Sequence, residues 1–153
     1  MGTVDTFFIL YFLGIAILWV ILEVSERLEL SELNKTDWQT HLANDVLMFC
    51  LSYYPCKREK PLVKLVKDQS NLSGQYCFMS NTIILYRKSN LKKVELINTV
   101  IHEYFHYYII TSKAKYTLYQ DQLKEYSYAN HPQEILCVAM GKALTDIYLT
   151  DKK

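Results

Sequence analysis

The feature that most constrains the fold is the motif His-Glu-x-x-His, formed by His102, Glu103 and His106. It lies in the segment Leu91–Thr111, whose apolar residues recur every three or four positions, a spacing that predicts an amphipathic helix. Two histidines four residues apart project from one helical face, about 6 Å apart at Cβ, so both can reach one Zn²⁺ at about 2.0–2.1 Å. Glu103 lies on the flank of that face, where it can take a proton from a water that the metal activates. The motif predicts a metal-binding helix; the alternative is that both histidines are ordinary polar-face residues.

A catalytic zinc of this kind needs three protein ligands, so the third must come from another part of the chain. The Gly-x-x-His continuation of metzincins is missing from residues 107–112. Glu134 is the best-placed ligand, because it lies in the first turn of a predicted helix and enough chain separates it from His106 for an antiparallel return. The alternative role for Glu134 is to stabilise the helix N-terminus through the helix dipole. The other residues with suitable side chains are Asp121, Glu125, His131, Asp146 and Asp151.

The composition places the chain among folded proteins of about one domain. It has 153 residues, 50% of them hydrophobic, with four Gly and three Pro, which excludes a disordered, collagen-like or low-complexity chain. The 17 basic and 16 acidic residues show no strong excess of charge, so nucleic acid is not expected as a partner. The cysteines Cys50, Cys56, Cys77 and Cys137 form no regular framework, so free thiols are expected. A disulfide between Cys50 and Cys56 is the alternative in an oxidising compartment.

The N-terminal part of the chain contains an uncharged, largely apolar run, Phe7–Leu22. As a helix it would be about 24 Å long, slightly short of a hydrocarbon core of about 30 Å. No Lys or Arg precedes it, which argues against a cleaved signal peptide. The run therefore predicts a single-pass membrane anchor, and the alternative is a buried core helix or a hydrophobic helix bound to a partner. The segment Glu23–Leu33 is expected to continue as a stalk helix, giving an anchor and stalk in residues 1–33 and a folded domain in residues 34–153. Arg27 and the basic residues after it favour a cytoplasmic domain by the positive-inside rule.

Hydrophobic periodicity beyond the anchor predicts an α+β domain, with a small antiparallel sheet and about three helices. The sheet should contain a hairpin with its turn at Ser80-Asn81, because this polar pair separates two β-rich runs. The segment Tyr116–Tyr128 fits either a loop or a short helix. Helices are predicted at Asp37–Tyr53, at Leu91–Thr111 and from Asn130 onward, and strands at Pro61–Lys67 and within Gln75–Arg87.

Four segments occur in a suggestive order: Gly74–Tyr76, Asn81–Leu85, Glu95–His106 and Asn130–Ile135. In this order they resemble the Gly-x-Tyr hairpin, the asparagine-led strand, the active helix and the His-Pro-x-Glu helix start of minimal gluzincin-type HExxH zinc metallopeptidases, the ImmA/IrrE-like family of bacteria and phages. The resemblance implies a minimal zincin-like domain with one bound Zn²⁺. It also implies a zinc metalloendopeptidase that hydrolyses peptide bonds in a protein or peptide substrate.

The resemblance further implies roles for individual residues. Glu103 would be the general base, and the strand at residues 81–86 would be an edge strand that pairs with an extended substrate. The zinc ligands would be His102, His106 and Glu134.

A hydrogen bond to the oxyanion could come from His131 or from a tyrosine, for which we select Tyr126. The tyrosines considered for this role are Tyr116, Tyr119, Tyr126 and Tyr128.

Two non-enzymatic alternatives remain: a membrane-tethered binding module that keeps the zincin fold, and a small subunit of a membrane assembly in which the motif is incidental.

Overall fold

The computed structural model describes residues 17, 19–25, 27, 38–67, 72–87 and 92–152. The chain divides into two compact units, with the boundary between Trp38 and Gln39. In the first unit, residues 17, 19–25, 27 and 38 are helical. The second unit contains the HExxH segment and Glu134.

The prediction of a transmembrane helix is wrong for this fold. Among the described residues, no helix is both long and apolar enough to cross a membrane. Glu23 follows Leu22 directly, and its carboxylate accepts a hydrogen bond from Arg27 at 2.7 Å. These charges end an apolar run that is already shorter than the roughly 20 residues a spanning helix needs. Residues 7–16 and 18 of the predicted anchor, and residues 26 and 28–33 of the predicted stalk, lie outside the described part of the chain.

The second unit is α+β. The segment Tyr116–Tyr128, ambiguous in sequence, is mostly helical: its helix begins after Ser112, whose hydroxyl oxygen accepts a hydrogen bond from the N–H of Lys115. The elements are helix α1 (residues 38–53, of which 39–53 belong to this unit), strands β1 (Leu62–Lys67), β2 (Gly74–Cys77) and β3 (Thr82–Arg87), helices α2 (Lys93–Ile109) and α3 (Lys113–Glu125), a 3₁₀ turn (Tyr128–Asn130) and helix α4 (Pro132–Asp151).

The three strands form one mixed sheet in the order β1–β3–β2. Strands β2 and β3 are the predicted antiparallel hairpin, and Asn81 turns the chain between them with a φ of 48°, a left-handed conformation in which Asn is enriched. Strand β1 pairs parallel to β3, so the prediction of an antiparallel sheet is wrong. Strands β1 and β2 are consecutive along the chain, but they pair on opposite sides of β3. They are therefore not neighbours, as consecutive strands of a simple antiparallel sheet would be. Strand β3 is therefore central, and the prediction that residues 81–86 form an edge strand is also wrong.

Helix α2 is the central helix of the second unit. It contacts α4 along one side and strands β2 and β3 along another. Its aromatic residues also fix the segment between α1 and β1: the hydroxyl of Tyr104 donates to the carbonyl of Tyr54, and the hydroxyl of Tyr107 donates to the carbonyls of Arg58 and Glu59. Because α2 is held on several sides, its remaining side chains have a defined position relative to α4.

Helix α4 begins one residue later than predicted. The N-cap is His131 rather than Asn130, and its Nδ1 accepts a hydrogen bond from the N–H of Gln133 at 3.1 Å. Pro132 follows in the first turn, where its missing N–H costs no helical hydrogen bond. Glu134 consequently lies in the first turn of α4, as the sequence predicts.

Candidate metal centre

His102, His106 and Glu134 direct their ligand atoms toward one another. The two Nε2 atoms of the histidines lie 3.2 Å apart. Oε2 of Glu134 lies 3.2 Å from Nε2 of His102, and Oε1 lies 3.3 Å from Nε2 of His106. The Glu134 side chain is only 2% exposed. The two imidazole nitrogens and the carboxylate group thus form a compact, largely buried triangle, in which each nitrogen faces a different oxygen of Glu134.

The size of this triangle matches a tetrahedral zinc site. Ligand atoms at about 2.0–2.1 Å from a tetrahedral zinc lie roughly 3.3–3.4 Å from each other. The N–N distance of 3.2 Å and the shortest N–O distances of 3.2 and 3.3 Å, one to each oxygen of Glu134, are close to that value. Oε2 of Glu134 is buried and has no hydrogen bond of good geometry within the described part of the chain. A cation would satisfy this buried acceptor. The residues therefore fit a zinc ion, with a fourth position left for water or substrate.

Two packed helices supply the ligands. Helix α2 presents both histidines on one face, and α4 presents Glu134 from its first turn. The helices approach closely at Gly141, where a Cβ atom would lie 3.3 Å from the side-chain oxygen of Asn98. Burial alone would raise the pKa of Glu134, but the neighbouring imidazoles outweigh burial and hold this pKa well below its ordinary value. Glu134 thus lies both in the first turn of α4 and beside the two imidazoles. Its position is compatible with both predicted roles, as a metal ligand and as a charge that stabilises the helix N-terminus.

Glu103 lies beside this cluster and is only 6% exposed. Its side chain packs against Gly74, the first residue of β2. Burial raises the pKa of Glu103, while the two imidazoles and the N–H of Tyr76 oppose that rise. Glu103 and His102 both line a cleft of about 300 Å³ between α2 and the start of β2. A carboxylate at the wall of a cleft next to the ligands has the position that a general base needs.

Tyr119 and Cys137 contact the ligands from outside the triangle. The hydroxyl of Tyr119, on α3, donates a hydrogen bond to Oε1 of Glu134. Burial and the Glu134 carboxylate raise the pKa of Tyr119, so the hydroxyl remains a donor. Sγ of Cys137, on α4, lies 3.7 Å from Nδ1 of His106. Groups that hydrogen-bond to metal ligands fix the orientation of those ligands.

Neither of these two contacts was singled out from the sequence. Tyr119 was one of four tyrosines considered, and nothing in the sequence distinguishes it from Tyr126. The sequence predicts free thiols without distinguishing Cys137 from the other three cysteines, and all four are free in the structure. The available signal for Cys137 was its spacing of three residues from Glu134, which places both on one face of α4.

The structure brings neither of the two selected oxyanion donors, His131 and Tyr126, to the ligands. His131 is fully buried, with Nδ1 used as the helix cap and Nε2 without a hydrogen-bond partner in the described chain. Tyr126 is 41% exposed, and its ring lies 6.5 Å from that of His131. Among the described residues, no hydrogen bond or ring contact joins either side chain to the three candidate ligands.

A second cleft, of about 340 Å³, adjoins the cluster at the start of α4. Glu134 forms part of its wall, and Tyr128 lines both this cleft and the one beside Glu103. The rest of the lining is apolar: Ala129, Ile135, Val138 and Ala139.

No protein-family model, no curated protein and no solved structure matches this chain. The function proposed below therefore depends on the geometry of the cluster and its surroundings.

Proposed function

We propose that the protein is a zinc-dependent peptidase. His102, His106 and Glu134 would hold the metal, and Glu103 would be the general base. The observation that carries this proposal is the triangle of two imidazole nitrogens and one buried carboxylate group, with N–N and shortest N–O distances of 3.2–3.3 Å. A cleft lies directly beside it.

The chemistry of hydrolysis divides between the metal and Glu103. A zinc ion held here would act as a Lewis acid on water and on the carbonyl group of the substrate. Glu103 would accept a proton from the attacking water as the new C–O bond forms. It would then transfer that proton to the nitrogen of the leaving amine as the C–N bond breaks. One water is consumed, and the proton returns to the product, so Glu103 ends in its starting state.

An extended peptide would pair with the free edge of β2. The N–H of Tyr86 bonds to the carbonyl of Ser73, and in an antiparallel pair such bonds alternate along the strand. The backbone groups of Gly74 and Tyr76 therefore point to the free edge. The N–H of Tyr76 is directed at the Glu103 carboxylate and lowers its pKa, so the base lies at this edge. The added strand would pair with the carbonyl of Tyr76 and with the backbone groups of Gly74. A strand added to β2 would carry its peptide bonds past the base, and the apolar cleft at α4 would accept an apolar side chain.

The test compares casein hydrolysis by the zinc-loaded full chain with that of its Glu103→Gln variant. We expect the variant to retain zinc and to lose about 10²- to 10⁴-fold in rate, the usual contribution of a positioned general base. The matched control is Glu95→Gln, the same chemical change on the same helix. Glu95 is exposed and accepts a hydrogen bond from the N–H of Lys92 at the helix start, so this variant should keep full activity.

Equal hydrolysis by the wild type and Glu103→Gln would contradict the proposal. A wild-type protein that binds one zinc per chain and cleaves nothing would instead favour a non-catalytic metal-binding module. Absence of zinc binding would make the motif incidental.

A further inference from the structure

Cys137 lies behind His106, on the side of the ring that faces away from the ligand triangle. Its Sγ is 3.7 Å from Nδ1 of His106, whereas Nε2 of the same ring is the atom that faces Glu134. Cys137 is fully buried and His106 is 5% exposed. The two ring nitrogens point in different directions, so the sulfur contacts the ring without reaching the position that the three ligands surround.

The chemistry of imidazole indicates which of the two groups donates the hydrogen bond. A histidine that binds a metal through Nε2 carries its remaining proton on Nδ1. Metal-bound histidines almost always donate that proton to a carboxylate, a backbone carbonyl or a water, and the acceptor fixes both the tautomer and the ring orientation. At His106 the group in this position is a thiol, whose sulfur is a weak acceptor.

We propose that Cys137 is a positioning residue for the metal ligand His106, with its sulfur accepting the Nδ1–H hydrogen bond. This inference depends on the proposed metal site, but not on peptide hydrolysis. Helix α4 then supplies one ligand directly, through Glu134, and orients a second ligand through Cys137, one turn further along. A neutral thiol polarises the imidazole less than a carboxylate would, so His106 would be a comparatively weak donor to the metal.

The test is zinc affinity, measured on the full chain by competition with a chromophoric chelator. Loss of the acceptor in Cys137→Ala should weaken zinc binding by about 10- to 100-fold, the usual effect of removing such a partner. Cys137→Ser, which retains an acceptor atom, should recover most of the loss. The matched control is Cys50→Ala, because Cys50 is equally buried, on α1; it should lower stability through its cavity and leave zinc affinity unchanged.

A second measurement does not require a stable variant. In the zinc-loaded wild type, the Nδ1 proton of His106 should give a resolved NMR resonance that exchanges slowly with water. A rapidly exchanging proton would overturn the inference, as would a Cys137→Ala protein that binds zinc as tightly as the wild type. A protein that binds zinc with this pattern and cleaves no peptide would overturn the proposed function while leaving the role of Cys137 intact.

Discussion

Gly74→Ala is the substitution whose effect on the base can be worked out most directly. A Cβ atom at this position would lie 2.7 Å from Cγ2 of Thr99, 3.0 Å from Cγ of Glu103 and 3.3 Å from its Oε1. Favourable carbon–carbon contacts begin at about 3.5 Å, so the new methyl group would overlap Thr99 and Glu103 by roughly 0.8 and 0.5 Å. The φ of Gly74 is not positive, so the effect would come from this contact and not from backbone strain.

Overpacking of this kind typically costs about 1–3 kcal/mol in free energy of unfolding. A displacement of a catalytic group by about 1 Å can lower the rate about 100-fold, so we expect hydrolysis to fall by about 10- to 100-fold. Zinc affinity should stay within about threefold of the wild type, because the methyl group touches none of the three ligands. The measurements are chemical denaturation, chelator competition and casein hydrolysis, each made on both proteins.

Thr99→Ser provides the matched control for this prediction. It deletes the Cγ2 atom nearest to the new methyl group, and it keeps the hydroxyl that donates to the carbonyl of Glu95 at 2.8 Å. Combined with Gly74→Ala, it should restore part of the lost stability. Wild-type stability and activity in Gly74→Ala would refute the reasoning, as would a selective loss of zinc.

Three further predictions concern the surroundings of the site. Tyr119→Phe removes the hydroxyl that donates to Glu134, so zinc affinity measured by chelator competition should fall by about 10-fold or more; an unchanged affinity would contradict this role. Tyr107→Phe removes the donor to the carbonyls of Arg58 and Glu59, which should cost about 1–3 kcal/mol in denaturant unfolding without changing zinc affinity. Removing zinc present at 100 times its dissociation constant should cost about 2.7 kcal/mol, seen by calorimetry as a lower Tm; an identical Tm with and without chelator would speak against the site.

The elements predicted successfully are those set by local sequence. Helix α2 has an apolar residue every three or four positions, and the β2–β3 hairpin has its turn residue, Asn81, between two β-rich runs. The parallel pairing of β1 with β3 depends on residues distant in sequence, so no local pattern contains it. Helix α3 has no fully buried residue in the structure, so its sequence carries no clear hydrophobic stripe that would identify it as a helix.

In the candidate site, too, the features that depend on local sequence could be predicted. The pair His102 and His106 follows from helical spacing, and Glu134 from its place at a helix start preceded by His-Pro. The side chains that contact these ligands from outside depend on how α3 and α4 pack. For that reason the sequence does not separate Tyr119 from the other tyrosines. The sequence also suggests His131 as an oxyanion donor, whereas in the structure its ring caps α4.

Zinc K-edge X-ray absorption on the zinc-loaded full chain tests the metal site most directly. We predict one zinc per chain, surrounded by nitrogen and oxygen atoms at about 2.0–2.1 Å, with the signature of two imidazoles. The Glu134→Gln variant should lose most of the bound zinc. A chain that binds no zinc, or a spectrum with a sulfur ligand at about 2.3 Å, would contradict a site formed by His102, His106 and Glu134.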